Sequence, residues 1–220
     1  MSDGVLVATR LALHALAERV ISPLRVQATG NEIALRVRPG GFGTPELPDR
    51  SWVGVSGTDV VRLGAAGDEQ RTAISSLRAA AAFVGLVGGA SLPDDPLEVH
   101  AGAAAVLAES WAIGEEALTA FAADDAEDPS PPILWPEHLD IAIEAGAEAA
   151  KTRATYGVSP GDEDHDEPYA YVAPWTPPAE TGPSTFWNAV GFTGAERPVG
   201  ADDAGELAAF FREAARLLAG

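Results

Sequence analysis

The chain has 220 residues, 46% of them hydrophobic and 21% charged, which is enough apolar surface for a substantial core and too much for global disorder. Its 33 acidic against 14 basic residues give a formal charge of -19. The basic residues are scattered, which disfavours both nucleic acid and an anionic membrane as partners, since each needs clustered Lys and Arg. The absence of cysteine excludes disulfides, thiolate metal sites, iron–sulfur clusters and cysteine nucleophiles.

The first predicted element is an amphipathic helix over residues 5–20, with Leu6, Leu13, Leu16, Ala17 and Val20 at helical spacing and Pro23 as its stop. Leu24 to Ala28 and Glu32 to Arg38 alternate apolar and polar residues about Thr29-Gly30-Asn31, the composition of a hairpin whose Ile33, Leu35 and Val37 face the core. Gly40 to Pro45 is glycine-rich, but a phosphate cradle opens a helix and this stretch runs into Pro45 and Pro48, so it reads as a connecting loop. A meander follows, with strands at Trp52–Val55, Asp59–Leu63 and Gln70–Ile74.

Helices are expected next over 75–87, capped by Ser75, and over 101–122. The acidic, proline-rich segment 123–132 is the best internal boundary in what otherwise reads as a single domain over 1–220. Beyond it, strands are expected at Leu139–Ile143, Thr152–Val158, Tyr169–Ala173 and Phe186–Val190. A final helix over 203–218 carries Leu207, Phe210, Phe211, Ala214, Leu217 and Leu218 on one stripe, with Asp203 and Glu206 as a capping box. A meander followed by a block of helices, without strand-helix alternation, predicts an α+β fold built on a mostly antiparallel sheet.

The start of the chain lacks a signal peptide's basic and apolar regions, and nothing approaches ~20 uninterrupted apolar residues, so a cytoplasmic location is expected. Lys151 is the only lysine, and alanine, glycine and proline are abundant; this usage suggests a GC-rich genome as one source of the acidity.

The densest patch of chemistry is Ser159 to Tyr169, with five carboxylates around His165. It is either a solvated acidic bulge or part of a site, because carboxylates this close repel unless screened. Gly157-Val158-Ser159-Pro160-Gly161 imitates the Gly-x-Ser-x-Gly elbow of serine hydrolases, but Pro160 lacks the N–H that would serve the oxyanion and no helix follows. Asp162, Asp164 and Asp166 imitate the start of an EF-hand loop, but Glu167 and Ala173 stand where glycine and glutamate are required. A weak divalent site stays open there; the reading adopted is free of metal and of any cofactor. His14, between Arg10 and Glu18 on one helix face, reads as part of an exposed ion-pair row. His138 and Asp140 fall on one face of a strand if Leu139, Ile141 and Ile143 face the core.

Several segments carry a family resemblance: Leu13 to Glu18, Gly40 to Pro45, Pro131 to Asp140, Tyr156 to Asp162, Glu167 to Trp175 and Phe186-Trp187-Asn188. Together they resemble an uncharacterised family of actinobacterial proteins, with Leu139 where the family's phenylalanine is expected. The resemblance implies an actinobacterial source and a shared fold of unknown function, and it transfers no catalytic residue.

Two functional readings remain open. One is a small-molecule pocket, with or without catalysis, built from Trp135, His138, Asp140, Tyr156, Asp162, His165, Tyr169, Tyr171, Trp175 and Trp187. The other is a non-catalytic interaction or assembly module whose acidic loop serves solubility. Both leave self-association into a homo-oligomer open.

Overall fold

In the computed structural model, which describes residues 3–31, 34–179, 181, 182, 185–199 and 204–220, the chain begins with α1 (Asp3–Leu16). A π turn over Ala17–Ile21 then leads directly into α2 (Ser22–Thr29), so Pro23 does not stop the helix and 24–28 is not a strand. The wide turn, closed by the Ser22 N–H donating to the Ala17 carbonyl five residues back, lets the chain pass a proline that a regular helix would exclude. Gly30 ends α2 in the left-handed region at φ 71°, its N–H donating to the Val26 carbonyl at 2.8 Å. Glu32 and Ile33 of the expected hairpin lie outside the described residues; Leu35 is buried and Val37 half-buried.

Two antiparallel sheets of five strands, among the described residues, make the fold α+β. The first is a meander of β1 (Arg36–Arg38), β2 (Gly41–Gly43), β3 (Trp52–Ser56), β4 (Asp59–Leu63) and β5 (Glu69–Ala73), paired in chain order. The supposed loop at Gly40 to Pro45 thus contains a buried strand. Its register sets Gly43 opposite Gly54, and a Cβ built on Gly54 would stand 2.1 Å from the Phe42 carbonyl oxygen, so glycine there permits the backbones to approach.

α3 (Leu77–Val84) is capped by Ser76 rather than Ser75: its hydroxyl accepts from the Ala79 N–H at 3.1 Å and donates to Asp94 Oδ1 at 2.7 Å. α4 (Ala101–Asp124) is followed by β6 (Ile133–Trp135), β7 (Asp140–Ala145), β8 (Ala154–Ser159), β9 (Tyr169–Pro174), β10 (Ala195–Pro198) and α5 (Ala204–Ala219). The second sheet has the order β10-β9-β8-β7-β6. Phe186–Val190 is irregular, and β10 occupies the place expected of it. Asp203, the expected cap of the last helix, lies outside the described residues.

The chain divides into two compact units, one of Met1–Glu109 with Leu134–Leu139 and one of Ser110–Ile133 with Asp140–Gly220. In the first, Leu13, Leu16, Val20 and Ile21 of the opening helix are buried, as are Leu77 and Ala81 of α3 and Phe42, Val53, Val55 and Val61 of the sheet. Arg10 is buried too, and the His14 ring nitrogen Nε2 meets the Glu137 carbonyl at 2.9 Å, so these residues do not form a solvated row. In the second, Gly114 of α4 lies against Val158 and Ile141, and Phe121, Tyr156 and Phe211 form an aromatic triangle with centroids 4.7 and 6.0 Å apart. Phe211 is fully buried as expected, whereas Phe210 is only half-buried and stacks on Phe186 at 5.4 Å. No helix among the described residues is long and apolar enough to cross a membrane.

Candidate functional site

Five of the ten candidate residues come together on the second sheet. β8 and β9 pair so that Gly157 stands opposite Tyr171 and Ser159 opposite Tyr169. A Cβ on Gly157 would fall 2.6 Å from the Tyr171 ring, so the tyrosine lies across a glycine that makes room for it. From there its hydroxyl donates to Asp140 Oδ2 at the start of β7. Part of the Tyr171 residue is solvent-accessible while its phenol group is enclosed. That burial first, and then the charge of Asp140, push the phenol pKa far above its ordinary value, so Tyr171 is a permanent donor and Asp140, itself buried, its acceptor.

Two residues along β9, Tyr169 sits 6.2 Å from Tyr171 and 4.2 Å from the His165 ring, measured between centroids. Its hydroxyl donates to Asp162 Oδ2 at 2.5 Å, and burial together with this bond raises its pKa. Asp162 Oδ1 accepts from the backbone N–H groups of Asp164 and His165 at 2.8 and 2.9 Å and meets His165 Nδ1 at 2.9 Å. His165 Nε2 meets Glu196 Oε1 of β10 at 3.2 Å. Partial burial works against the charged forms of both His165 and Asp162, but the hydrogen bonds outweigh it: the imidazole pKa is raised and that of Asp162 lowered. The result is an imidazole ring clamped between two carboxylates.

The acidic loop is therefore folded onto itself and onto β10. Ser159, the would-be nucleophile, is buried and accepts from the Gly161 N–H at 3.1 Å. Among the described residues no group of three or more His, Asp or Glu side chains is placed to hold a metal ion.

The other candidates lie apart from this cluster or belong to the first unit. Tyr156 is a core residue of the aromatic triangle, its pKa pushed up to about 12 by burial. Trp175, half exposed, carries the Arg153 guanidinium over its ring at 5.1 Å, while Arg153 also pairs with Glu144 at 3.0 Å. Trp187 packs edge-on against Phe186 at 5.1 Å. Trp135 and His138 belong to the first unit, where His138 is an exposed turn residue. Leu139 adopts φ 55° and β7 begins only at Asp140, so strand alternation does not relate His138 to Asp140.

Sequence reasoning missed Glu196, the second carboxylate on His165, because a single glutamate in a four-residue strand carries no local signal. It also missed an open hollow of about 520 Å³ in the second unit, walled by Phe186, Trp187, Pro178, Leu217 and Leu218 and bordered by Lys151. No protein-family model, curated protein or solved structure matches the chain.

Proposed function

We propose that this protein binds a small organic molecule in the second unit, in the hollow beside Trp187, and that the cluster around His165 braces the acidic loop instead of catalysing a reaction. The hollow is the observation that carries this reading. Its volume falls in the usual range for ligand sites, and aromatic, proline and leucine walls with one cation are the usual mix of apolar surface and a few polar anchors. The His165 cluster lacks what catalysis needs, because both ring nitrogens are already engaged by carboxylates and neither is left to exchange a proton with a substrate.

A thermal-shift screen of the full chain against a metabolite panel tests the reading. A ligand of the hollow raises the melting temperature of wild type by mass action and leaves that of Trp187→Leu, against its own baseline, unmoved. A ligand that stabilises both proteins equally would place binding elsewhere.

A further inference from the structure

We infer that the ligand of this hollow is a monocarboxylate with an apolar body, its carboxylate recognised by the ammonium group of Lys151. The inference rests on the proposed binding function and specifies the ligand. Lys151 is the only lysine of the sequence, and it borders the hollow walled by Trp187, Phe186, Leu217 and Leu218. An apolar ligand body accounts for those walls, and a carboxylate accounts for the cation beside them.

The charge pattern sets Lys151 apart from Arg153, Arg212 and Arg216 of the same unit. Arg153 is paired with Glu144 at 3.0 Å, Arg212 with Asp125 at 2.7 Å and Arg216 with Glu213 at 2.7 Å. The smaller hollow that Arg212 and Arg216 border, of about 330 Å³, thus has both of its arginines already paired with carboxylates. Lys151 makes no ion pair among the described residues, in a chain whose formal charge is -19. One free ammonium matches one carboxylate; a second anionic group on the ligand would meet only the repulsion of the acidic chain.

The backbone adds an independent observation. Lys151 lies in the turn between β7 and β8 at φ 62°, the left-handed region that disfavours a side chain. Its N–H donates to the Glu148 carbonyl at 2.9 Å, and Thr152 N–H donates to the Ala147 carbonyl at 3.1 Å. Glycine would make the same turn with less strain, so what lysine contributes at this position is its side chain.

Calorimetric titration of the full chain with phenylbutyrate and with its neutral primary amide tests the assignment. Wild type is expected to bind the carboxylate about fivefold more tightly than the amide, the scale of a partly exposed ion pair, and the difference should shrink as salt is added. Lys151→Gly, which suits the turn and should fold, is expected to bind both probes equally, while Trp187→Leu loses both. Equal affinities in wild type, or a carboxylate preference that survives in Lys151→Gly, would overturn the carboxylate assignment and leave the hollow as a ligand site. No saturable binding of either probe at millimolar concentration would remove the hollow itself, and the assignment with it.

Discussion

The two sheets share one meander topology and put their glycines to opposite uses. In the first, Gly54 lets backbone meet backbone, with the Phe42 carbonyl oxygen 2.1 Å from where its Cβ would stand. In the second, Gly157 lets a tyrosine side chain cross the strand and reach a buried carboxylate. The first sheet is closed at that point by covalent geometry, whereas the second holds a side chain in a polar arrangement that other side chains could replace. Equal topology therefore does not imply equal tolerance to substitution.

The contrast can be tested by stability measurements, beginning with the core beneath the second sheet. Phe211→Ala is expected to cost about 3–5 kcal/mol in urea unfolding, and Phe210→Ala, half-buried, clearly less. Equal losses at the two positions would mean that the buried face of α5 has been misassigned. Gly54→Ala should cost roughly 3 kcal/mol, the upper end for overpacking, because the obstacle is a carbonyl that no rotamer change can move. Gly157→Ala should cost less, about 1–3 kcal/mol, and become nearly neutral in a Tyr171→Ala background. If Tyr171→Ala fails to rescue it, the ring is not what occupies the space above Gly157.

The smallest effect concerns the His165 brace and shows itself through pH. The raised pKa of His165 means that its stabilisation is complete below about pH 6.5, the ordinary imidazole value, and fades as pH rises through the raised value. The lowered pKa of Asp162 means that its share is complete above about pH 4 and is lost as pH falls through the lowered value. His165→Gln should therefore destabilise by under about 1 kcal/mol near pH 5 to 6, as expected of partly exposed pairs, and the difference from wild type should diminish toward pH 9. A difference that stays constant across this range would show that His165 acts by packing alone.

Much of this was legible wherever a pattern is local. The hairpin of β3 and β4, the long α4 and the stripe of α5 follow from alternation, from turn glycines and from helical spacing. The opening helix was cut short because Pro23 is a stop only in a regular helix, and the π turn before it leaves no mark in periodicity. β2 was missed because three residues containing two glycines carry almost no alternation, while their pairing depends on Gly54 twelve residues away. In the site, the Asp162–His165 contact was foreseeable from a tight acidic loop. Tyr171 with Asp140 and His165 with Glu196 each span 31 residues, and only sheet register brings such partners together.

The π turn at Ala17–Ile21 has a consequence for how this chain can change over time. It winds one more residue into the helix than regular geometry needs, at the place where Pro23 would otherwise collide with a preceding carbonyl. Removing one residue there would restore regular winding, leave buried Ser22 and Arg25 on the faces they already occupy, and press the proline ring into the turn before it. Replacing Pro23 alone would leave a widened turn with nothing to accommodate. The extra residue and the proline are thus linked alleles: either change alone is a loss, and a single-residue deletion becomes acceptable only in a chain that has also given up its proline.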